Sequence, residues 1–198
     1  TIVMGSEAAA EERFAAEELR DYLHKISSTW FPLVTDTEQV EGTRILAGHN
    51  LHSSALGLET AELGRDGYLI EVHGTDLVLL GDTEQGSLNA VYGFLEDHLQ
   101  VRWFMPGEFG EVVPVTPTIR VGDMRVISRP DFKMRNWWTH WFANDLRAQE
   151  TRWKIRNGMN LDTMNRVPGD SSVRQVLPPE EEKDNPAYSD IFARDVAG

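Results

Sequence analysis

Two amphipathic helical segments, separated by short strand-type runs, constrain the fold of this chain more than any other feature. The first spans 8–26 and the second 84–99, and in each the apolar residues recur at the spacing of a helix face. A helix with one apolar face has to cover another layer. Strand-type runs lie at 2–4, 31–34, 44–47, 67–72, 77–80, 101–105, 112–113 and 119–121. This pattern predicts an α+β fold, a mixed β-sheet of about seven strands with two helices packed on one face.

Turn and capping residues sharpen this prediction locally. The tetrad HGTD at 73–76, between two strand-type runs, is typical of a tight hairpin turn. Ser6 precedes the first helix and is its expected N-cap. Gly86, near the start of the second helix, allows a neighbouring strand to approach closely. The apolar stripe that we expect this helix to bury consists of Leu88, Val91, Leu95 and Leu99.

The sequence changes in character after Arg129 and Pro130. From there it predicts a strand at 132–138, a helix at 144–157 and a strand at 160–165. A strand–helix–strand order is how a β/α barrel begins. The charge is uneven as well, because residues 1–100 carry the whole net charge of −13. We therefore expect an N-terminal α/β domain over 1–125, followed over 126–198 by the opening segments of a truncated (β/α) barrel.

The acidic composition and the lack of cysteine exclude several classes of function. The net charge is −13 and the pI is about 4.8, whereas nucleic-acid binding needs clustered Lys and Arg. The sequence has no apolar run of the roughly 18 residues that a membrane-spanning helix needs. Without cysteine there is neither a disulfide nor a thiolate. We expect no nucleic-acid or membrane partner, and a secreted or periplasmic location stays open.

Motifs for cofactors, metals and paired carboxylates are incomplete. The strand-to-helix turn at 82–86 can present N–H groups to an anion, but no Walker sequence follows it. His49 and His52 have a spacing that metal sites use, without a further convincing ligand. Adjacent acids such as Glu96 and Asp97 point in different directions on a helix, so they do not form a glycosidase pair. The residues therefore predict no cofactor and no metal.

The second helix and the strand after it carry a recognisable motif. Residues 86–96 read GSLNAVYGFLE, followed by VRWF at 101–104 and PGE at 106–108. This motif resembles the N-terminal domains of family 20 β-N-acetylhexosaminidases and family 67 α-glucuronidases. It most resembles a related group of bacterial proteins filed as domain of unknown function 4838. The resemblance continues through 128–132, Arg135, 176–179 and 185–188, and so covers nearly the whole chain.

The resemblance implies a role for each part of the chain. In these families the N-terminal domain is a mixed sheet with two helices on one face, which packs against the catalytic barrel and carries no catalytic group. The catalytic carboxylates lie on later barrel strands, which implies that this chain contains no catalytic residue. In family 20 an arginine at the end of the first barrel strand holds sugar hydroxyls, and Arg135 matches that position.

A polar and aromatic cluster surrounds this arginine in the sequence. Arg135 and Asn136 offer hydrogen bonds to sugar hydroxyls, and Trp137 and Trp138 offer flat apolar faces. We take these four residues as candidate substrate-binding residues. The alternative is that the tryptophans pack at the boundary between the domain and the barrel.

The main functional hypothesis is a non-catalytic N-terminal domain of a glycoside hydrolase-like parent, with carbohydrate as the partner of the parent barrel. The first alternative is a stand-alone carbohydrate-binding or interaction module, and the second is a structural domain without a ligand. Downstream sequence would discriminate between them, because further strands that supply a pair of acidic residues would indicate an enzyme.

Overall fold

The computed structural model describes residues 1–132, 134–136 and 147–160. The strands are β1 (Ile2–Met4), β2 (Leu33–Thr35), β3 (Ile45–Ala47), β4 (Tyr68–His73), β5 (Asp76–Gly81), β6 (Arg102–Trp103), β7 (Glu111–Val112) and β8 (Arg125–Ser128). The helices are α1 (Ala10–Ser27), α2 (Leu51–Ala55), α3 (Glu84–Gly93) and α4 (Arg147–Arg156). One π-helical turn (Phe94–His98) continues α3, and a short 3₁₀ turn (Glu108–Gly110) precedes β7.

The main sheet is mixed, as the sequence predicts. It has six strands in the order β2-β1-β3-β5-β4-β8. The first four are parallel, whereas β4 runs antiparallel to both of its neighbours. The residues at 73–76 form the β4–β5 turn, where His73 pairs with Asp76, which confirms the hairpin. β6 and β7 form a separate antiparallel ladder.

α1 and α3 pack together on one face of the sheet, and this layer holds the main core. The strands alternate between faces, as expected for a pleated sheet. In β5, Leu77 and Leu79 contact the helix layer, whereas Val78 and Leu80 lie in a smaller apolar cluster on the other face, with Leu56 packed against it. The expectation of two helices on one face is confirmed.

The apolar stripe of the second helix is buried as predicted. Leu88 is 2% exposed and Val91 and Leu95 are fully buried, while Leu99 packs against the same core more peripherally. Trp103 on β6 is also buried. The π-helical turn, with a hydrogen bond from Leu99 N–H to Phe94 O (3.2 Å), ends the helix while keeping this stripe on the core.

Gly86 makes the close approach that the sequence indicates. A Cβ atom on Gly86 would lie 2.4 Å from the carbonyl oxygen of Gly67, so α3 begins against the backbone that leads into β4. A side chain there would force the two segments apart.

The predicted N-cap of α1 is wrong. The helix begins later, with Ala9 as a cap that makes no side-chain hydrogen bond. The chain first forms a turn, in which Ala8 N–H donates to Gly5 O (3.1 Å). Ser6 lies inside this turn, and its backbone N–H donates to Asp36 Oδ1 (2.9 Å). The turn therefore moves the start of the helix beyond the reach of Ser6.

The predicted strand at 119–121 is also wrong, because the edge strand next to β4 is β8. Hydrogen bonding with β4 begins where Val72 N–H donates to Met124 O (2.9 Å) and continues along β8. β8 spans the predicted domain boundary at 125/126 and belongs to the main sheet. Residues 132 and 134–136 lie outside any strand, and the rest of that predicted strand lies outside the described residues. No helix of the described residues is long and apolar enough to cross a membrane.

Candidate functional site

α4 packs beside β6 against the unit formed by the main sheet, α1 and α3, which we call the sheet–helix unit. The Trp153 indole N–H donates to Trp103 O (2.9 Å), and the Asn157 amide donates to the same carbonyl (3.2 Å). Trp153 and Ile155 pack against the main core. The helix predicted at 144–157 is present as α4 (Arg147–Arg156), whereas positions 144–146 lie outside the described residues. α4 covers the core with only a few apolar side chains.

A buried ionic cluster carries most of the polar contact between α4 and the unit. Arg156 donates from Nε to Glu18 Oε2 (2.9 Å) and from Nη2 to Glu18 Oε1 (3.1 Å), which is the bidentate geometry that arginine and carboxylate favour. Its Nη1 donates to Glu111 Oε1 (2.6 Å). The three side chains are only 9–10% exposed. We call Glu18, Glu111 and Arg156 the Arg156 cluster.

Aromatic residues of the core complete the hydrogen bonds of this cluster. The Trp103 indole N–H donates to Tyr22 Oη (2.7 Å), and Tyr22 Oη donates to Glu111 Oε1 (2.9 Å). Tyr92 Oη donates to Glu18 Oε2 (3.2 Å). Both tyrosine rings meet Trp103 edge to face, with centroids 5.5 and 5.6 Å away. The apolar core and the ionic cluster are thus joined through Tyr22, Tyr92 and Trp103.

The surroundings of Glu111 in the cluster favour its ionised form. Burial pushes the pKa of Glu111 upward, but hydrogen bonds from Lys25 and Tyr22 and the charge of Arg156 outweigh it, so the pKa is lowered. Burial is the main cause that raises the pKa of Tyr22. The lowered pKa keeps Glu111 ionised, as a binding partner of Arg156 has to be.

Arg135, the first candidate sugar-binding residue, lies at a second polar junction. Its Nη2 donates to Asp66 Oδ2 (2.8 Å), its Nε to Gly158 O (2.9 Å) and its Nη1 to Phe132 O (2.8 Å). The Arg135 side chain is 22% exposed and that of Asp66 is 10% exposed. Arg135 thus connects the loop before β4 to the turn after α4.

Asn136, the second candidate, adjoins the same junction. Its amide donates to Asn160 O (3.1 Å), and Asn160 Oδ1 accepts from Arg135 N–H (3.1 Å). Asn160 Nδ2 in turn donates to Asp66 Oδ2 (3.2 Å). The structure therefore brings Arg135 and Asn136 together with Asp66 and Asn160. Trp137 and Trp138 lie outside the described residues.

Sequence reasoning missed Asp66, Glu18 and Arg156 as parts of these junctions. Asp66 lies in a polar loop and is 69 positions from Arg135, and Glu18 is 138 positions from Arg156. Glu18 occurs in a helix rich in acidic residues, where its spacing does not distinguish it from exposed neighbours. The chain offers no local signal for either pairing.

The two histidines with metal-like spacing have separate partners. His49 Nδ1 lies 2.7 Å from Glu12 Oε1, and the same oxygen accepts from His49 N–H (2.8 Å). His52 Nδ1 lies 3.2 Å from Arg44 Nη1. The hydrogen bond with Glu12 raises the pKa of His49. These contacts tie the segment after β3 to α1 and the residue before β3 to α2.

The solved structures that this chain is similar to include carbohydrate-active enzymes. A family GH115 4-O-methyl-α-glucuronidase (BtGH115A) with specificity for decorated arabinogalactans matches 80% of this chain at 13% identity, with a TM-score of 0.57. A GH20 β-N-acetylhexosaminidase from Streptomyces coelicolor matches 68% at 15% identity, with a TM-score of 0.45. The match covers 24% and 23% of those chains, so this chain spans about a quarter of their length.

At 13% identity the glucuronidase shows that the fold is shared. Its family is GH115, whereas the sequence motif resembles families 20 and 67 and, most of all, the group of domain of unknown function 4838. No protein-family model and no curated protein matches the chain.

Proposed function

We propose that the sheet and its helices, which end with β8 at Ser128 rather than at the predicted 125, form the non-catalytic N-terminal domain of a glycoside hydrolase-like protein, and that the residues after β8 open its catalytic barrel. The domain supports the barrel by holding the barrel's first segments. Carbohydrate is the partner of the whole protein, through the barrel. The sequence motif at 86–108 and the fold shared with part of a glucuronidase support this proposal. The finer assignment to the bacterial group of domain of unknown function 4838 stays a prediction.

The single observation that carries the proposal is the Arg156 cluster. A helix whose only task was to cover a core would bury apolar side chains, whereas α4 buries Arg156 between Glu18 and Glu111. A buried ion pair adds little net stability, because removing both charges from water opposes their attraction. It does fix one orientation, since a misplaced helix would leave three charges unpaired. Such a contact suits a domain that positions the segments after it.

Carbohydrate contact in the parent protein is assigned, as a prediction, to Arg135, Asn136, Trp137 and Trp138. These residues follow a short segment after the sheet of the N-terminal domain, because β8 ends at Ser128. The anchoring of Arg135 on Asp66 gives the domain a direct influence on the first of them.

Hydrogen exchange of α4 tests the supporting role. In Arg156→Met, we expect the amides of α4 to exchange at least about tenfold faster than in the wild type, because the helix loses its charge-assisted bonds. Arg152→Met is the matched control, since Arg152 is an exposed arginine on the same helix whose guanidinium lies over Phe14. Equal protection of α4 in both variants would refute the role of the cluster.

A hydrolysis assay tests the non-catalytic assignment. We expect the purified chain to release no chromophore from aryl β-N-acetylhexosaminides or aryl glucuronides, since the acid and nucleophile roles are unfilled. Turnover that follows the protein through every purification step would contradict the proposal.

One observation favours the interaction module as the second candidate. The loop between β6 and β7 exposes Phe104 (71%) and Phe109 (96%), with Met105 half exposed beside them. Exposed aromatic residues that lie together mark interaction surfaces. Retention on immobilised polysaccharide that Phe109→Ser abolishes, with α4 exchange unchanged in Arg156→Met, would favour the module over the supporting domain.

A further inference from the structure

An apolar cleft lies at the end of the main sheet where β3 and β5 begin. It has a volume of about 580 Å³. Its apolar walls come from α1, β3, β4, β5 and the π-helical turn, with Leu23, Ile45, Val72, Leu77 and Phe94. Tyr68 at the start of β4 pairs with Gly81 at the end of β5, so Asp66 and Arg135 lie beyond the opposite end of the sheet. The cleft is therefore separate from the junction of Asp66 and Arg135.

One wall of the cleft is an irregular arch of the chain at 117–123. Backbone hydrogen bonds hold the chain on both sides of the arch, from Thr116 N–H to Ile26 O (2.8 Å) and from Val72 N–H to Met124 O (2.9 Å). Between these two bonds, no backbone hydrogen bond joins the arch to the other described residues. The arch therefore closes the cleft through few contacts and can move outward to admit a ligand.

The charged groups of this cleft are carboxylates. Among the described residues that line it, Asp76 and Asp123 are acidic and none is basic. Asp76 is buried and paired with Arg44, which donates to it from Nε (3.1 Å) and from Nη2. Asp123 is exposed on the arch, and no hydrogen bond or ion pair joins it to another described residue. Because residues 1–100 also carry the whole net charge of −13, the cleft attracts a cation and repels an anion.

The size and the walls of the cleft define the rest of the ligand. Sites for small molecules have volumes of roughly 300–1,000 Å³ and combine apolar walls with a small number of polar groups. The cleft meets both conditions, since hydroxyl groups of Ser27, Thr29 and Thr43 line it beside the apolar side chains. An apolar body of one or two rings fits this space and leaves a single charged group for Asp123.

We propose that this cleft binds a small organic cation, with its apolar body between the sheet and the arch and a protonated amine at Asp123. Burial of the apolar body supplies the affinity, and the lone carboxylate of Asp123 selects the charge of the ligand. The inference goes beyond the proposed function, because it gives the N-terminal domain a ligand of its own, at the end of the sheet away from Arg135.

A matched set of naphthalene probes tests the apolar body and the charge separately. Backbone amide NMR spectra of the full chain are recorded near neutral pH during titration with naphthylmethylamine, naphthalenemethanol or naphthoate, which share the rings and differ in charge. We expect saturable shifts in the arch and at the start of β5 with the amine. The alcohol should bind about three- to tenfold more weakly, as expected for the loss of one exposed ion pair. Naphthoate should give no saturable shift.

Two variants locate the amine and the apolar body. Asp123→Asn keeps the shape of an exposed side chain and should weaken binding of the amine about three- to tenfold, with binding of the alcohol unchanged. Asp82→Asn is the matched control, because Asp82 is an exposed aspartate just beyond the far end of β5. It should change neither affinity. Ile119→Ala shortens the arch side chain that packs on the main core, and should weaken binding of the amine and the alcohol by the same factor.

Three results would overturn the inference. The first is the absence of a saturable shift at the cleft with the amine. The second is an affinity for the alcohol or for naphthoate equal to that for the amine, which would remove the selection of a cation. The third is an unchanged affinity for the amine in Asp123→Asn. None of these results bears on the exchange of α4 in Arg156→Met, so the ligand site and the supporting role stand or fall separately.

Discussion

The layer of α1 and α3 on the sheet and the junction that holds α4 differ in the chemistry of their contacts. The first buries apolar side chains almost without interruption, and Leu19, Val91 and Leu95 are fully buried there. The second buries Glu18, Glu111 and Arg156 in a hydrogen-bonded cluster. Apolar burial stabilises in proportion to area and without direction, whereas an ionic cluster tolerates one geometry. The core thus supplies stability, and the junction supplies the placement of α4.

The largest effect should come from the apolar layer. Leu95→Ala removes a fully buried side chain from the centre of the core and should lower the free energy of unfolding by about 2–5 kcal/mol, through lost transfer energy and a cavity. Urea denaturation at constant pH measures the change. A loss below about 1 kcal/mol would mean that the buried face of this helix is assigned wrongly.

A smaller effect is expected where the two regions meet. Tyr22→Phe leaves the ring in the core but removes the oxygen that accepts from Trp103 and donates to Glu111. The buried Trp103 N–H then has no acceptor, which should cost about 1–3 kcal/mol. Hydrogen exchange should show faster opening of α4 as well as a lower global stability. If the exchange of α4 is unchanged, Tyr22 does not couple the core to the Arg156 cluster.

The pair of Glu12 and His49 tests whether polar contacts also stabilise the first region. Burial opposes ionisation of Glu12, but its bonds with His49 lower its pKa below the ordinary 4.5. The contribution of Glu12 is therefore present above pH 4.5 and is lost as the pH falls through the lowered pKa. The bond with Glu12 raises the pKa of His49 above 6.5, so its contribution is present below pH 6.5 and is lost as the pH rises through the raised value.

The pair should therefore stabilise most between pH 4.5 and 6.5. When the pH is raised from this window to alkaline values, the wild type should lose stability because His49 loses its proton. The free energy of unfolding of His49→Gln should fall less over the same change, as measured by urea denaturation at both pH values. His73→Gln is the control, because His73 forms a longer pair with Glu71 (3.4 Å, against 2.7 Å for His49 and Glu12). Identical pH profiles for His49→Gln and the wild type would assign the pair no role in stability.

The smallest effect should come from the surface of the same helical turn. Asp97 is exposed and lies two positions after Leu95. Asp97→Ala should change the free energy of unfolding by less than about 0.5 kcal/mol. A larger loss of stability would show that the charge of Asp97 stabilises the apolar layer. The apolar layer and the α4 junction would then differ less in the chemistry that holds them.

The first region is the one that the sequence predicts well. The stripe of Leu88, Val91 and Leu95 follows from helical spacing, and the hairpin at 73–76 follows from its turn residues. Both are patterns among near neighbours in the chain, which local geometry fixes. The start of α1 was less predictable, because a turn that bonds to Asp36 displaces it from Ser6. Likewise, β8 rather than 119–121 forms the sheet edge, since an edge strand is defined by its neighbour β4.

The sequence alone determined the two amphipathic helices, the alternating strands and the identity of Arg135 and Asn136 as polar candidates. Only the tertiary structure decided that Asp66 meets Arg135 and that Glu18 meets Arg156, across 69 and 138 positions. Periodicity in the sequence indicates which face of a helix or strand is apolar, because side chains return to the same face every 3.6 residues in a helix and every two residues in a strand. A single charged side chain has no such repeat, so its partner depends on the path of the whole chain.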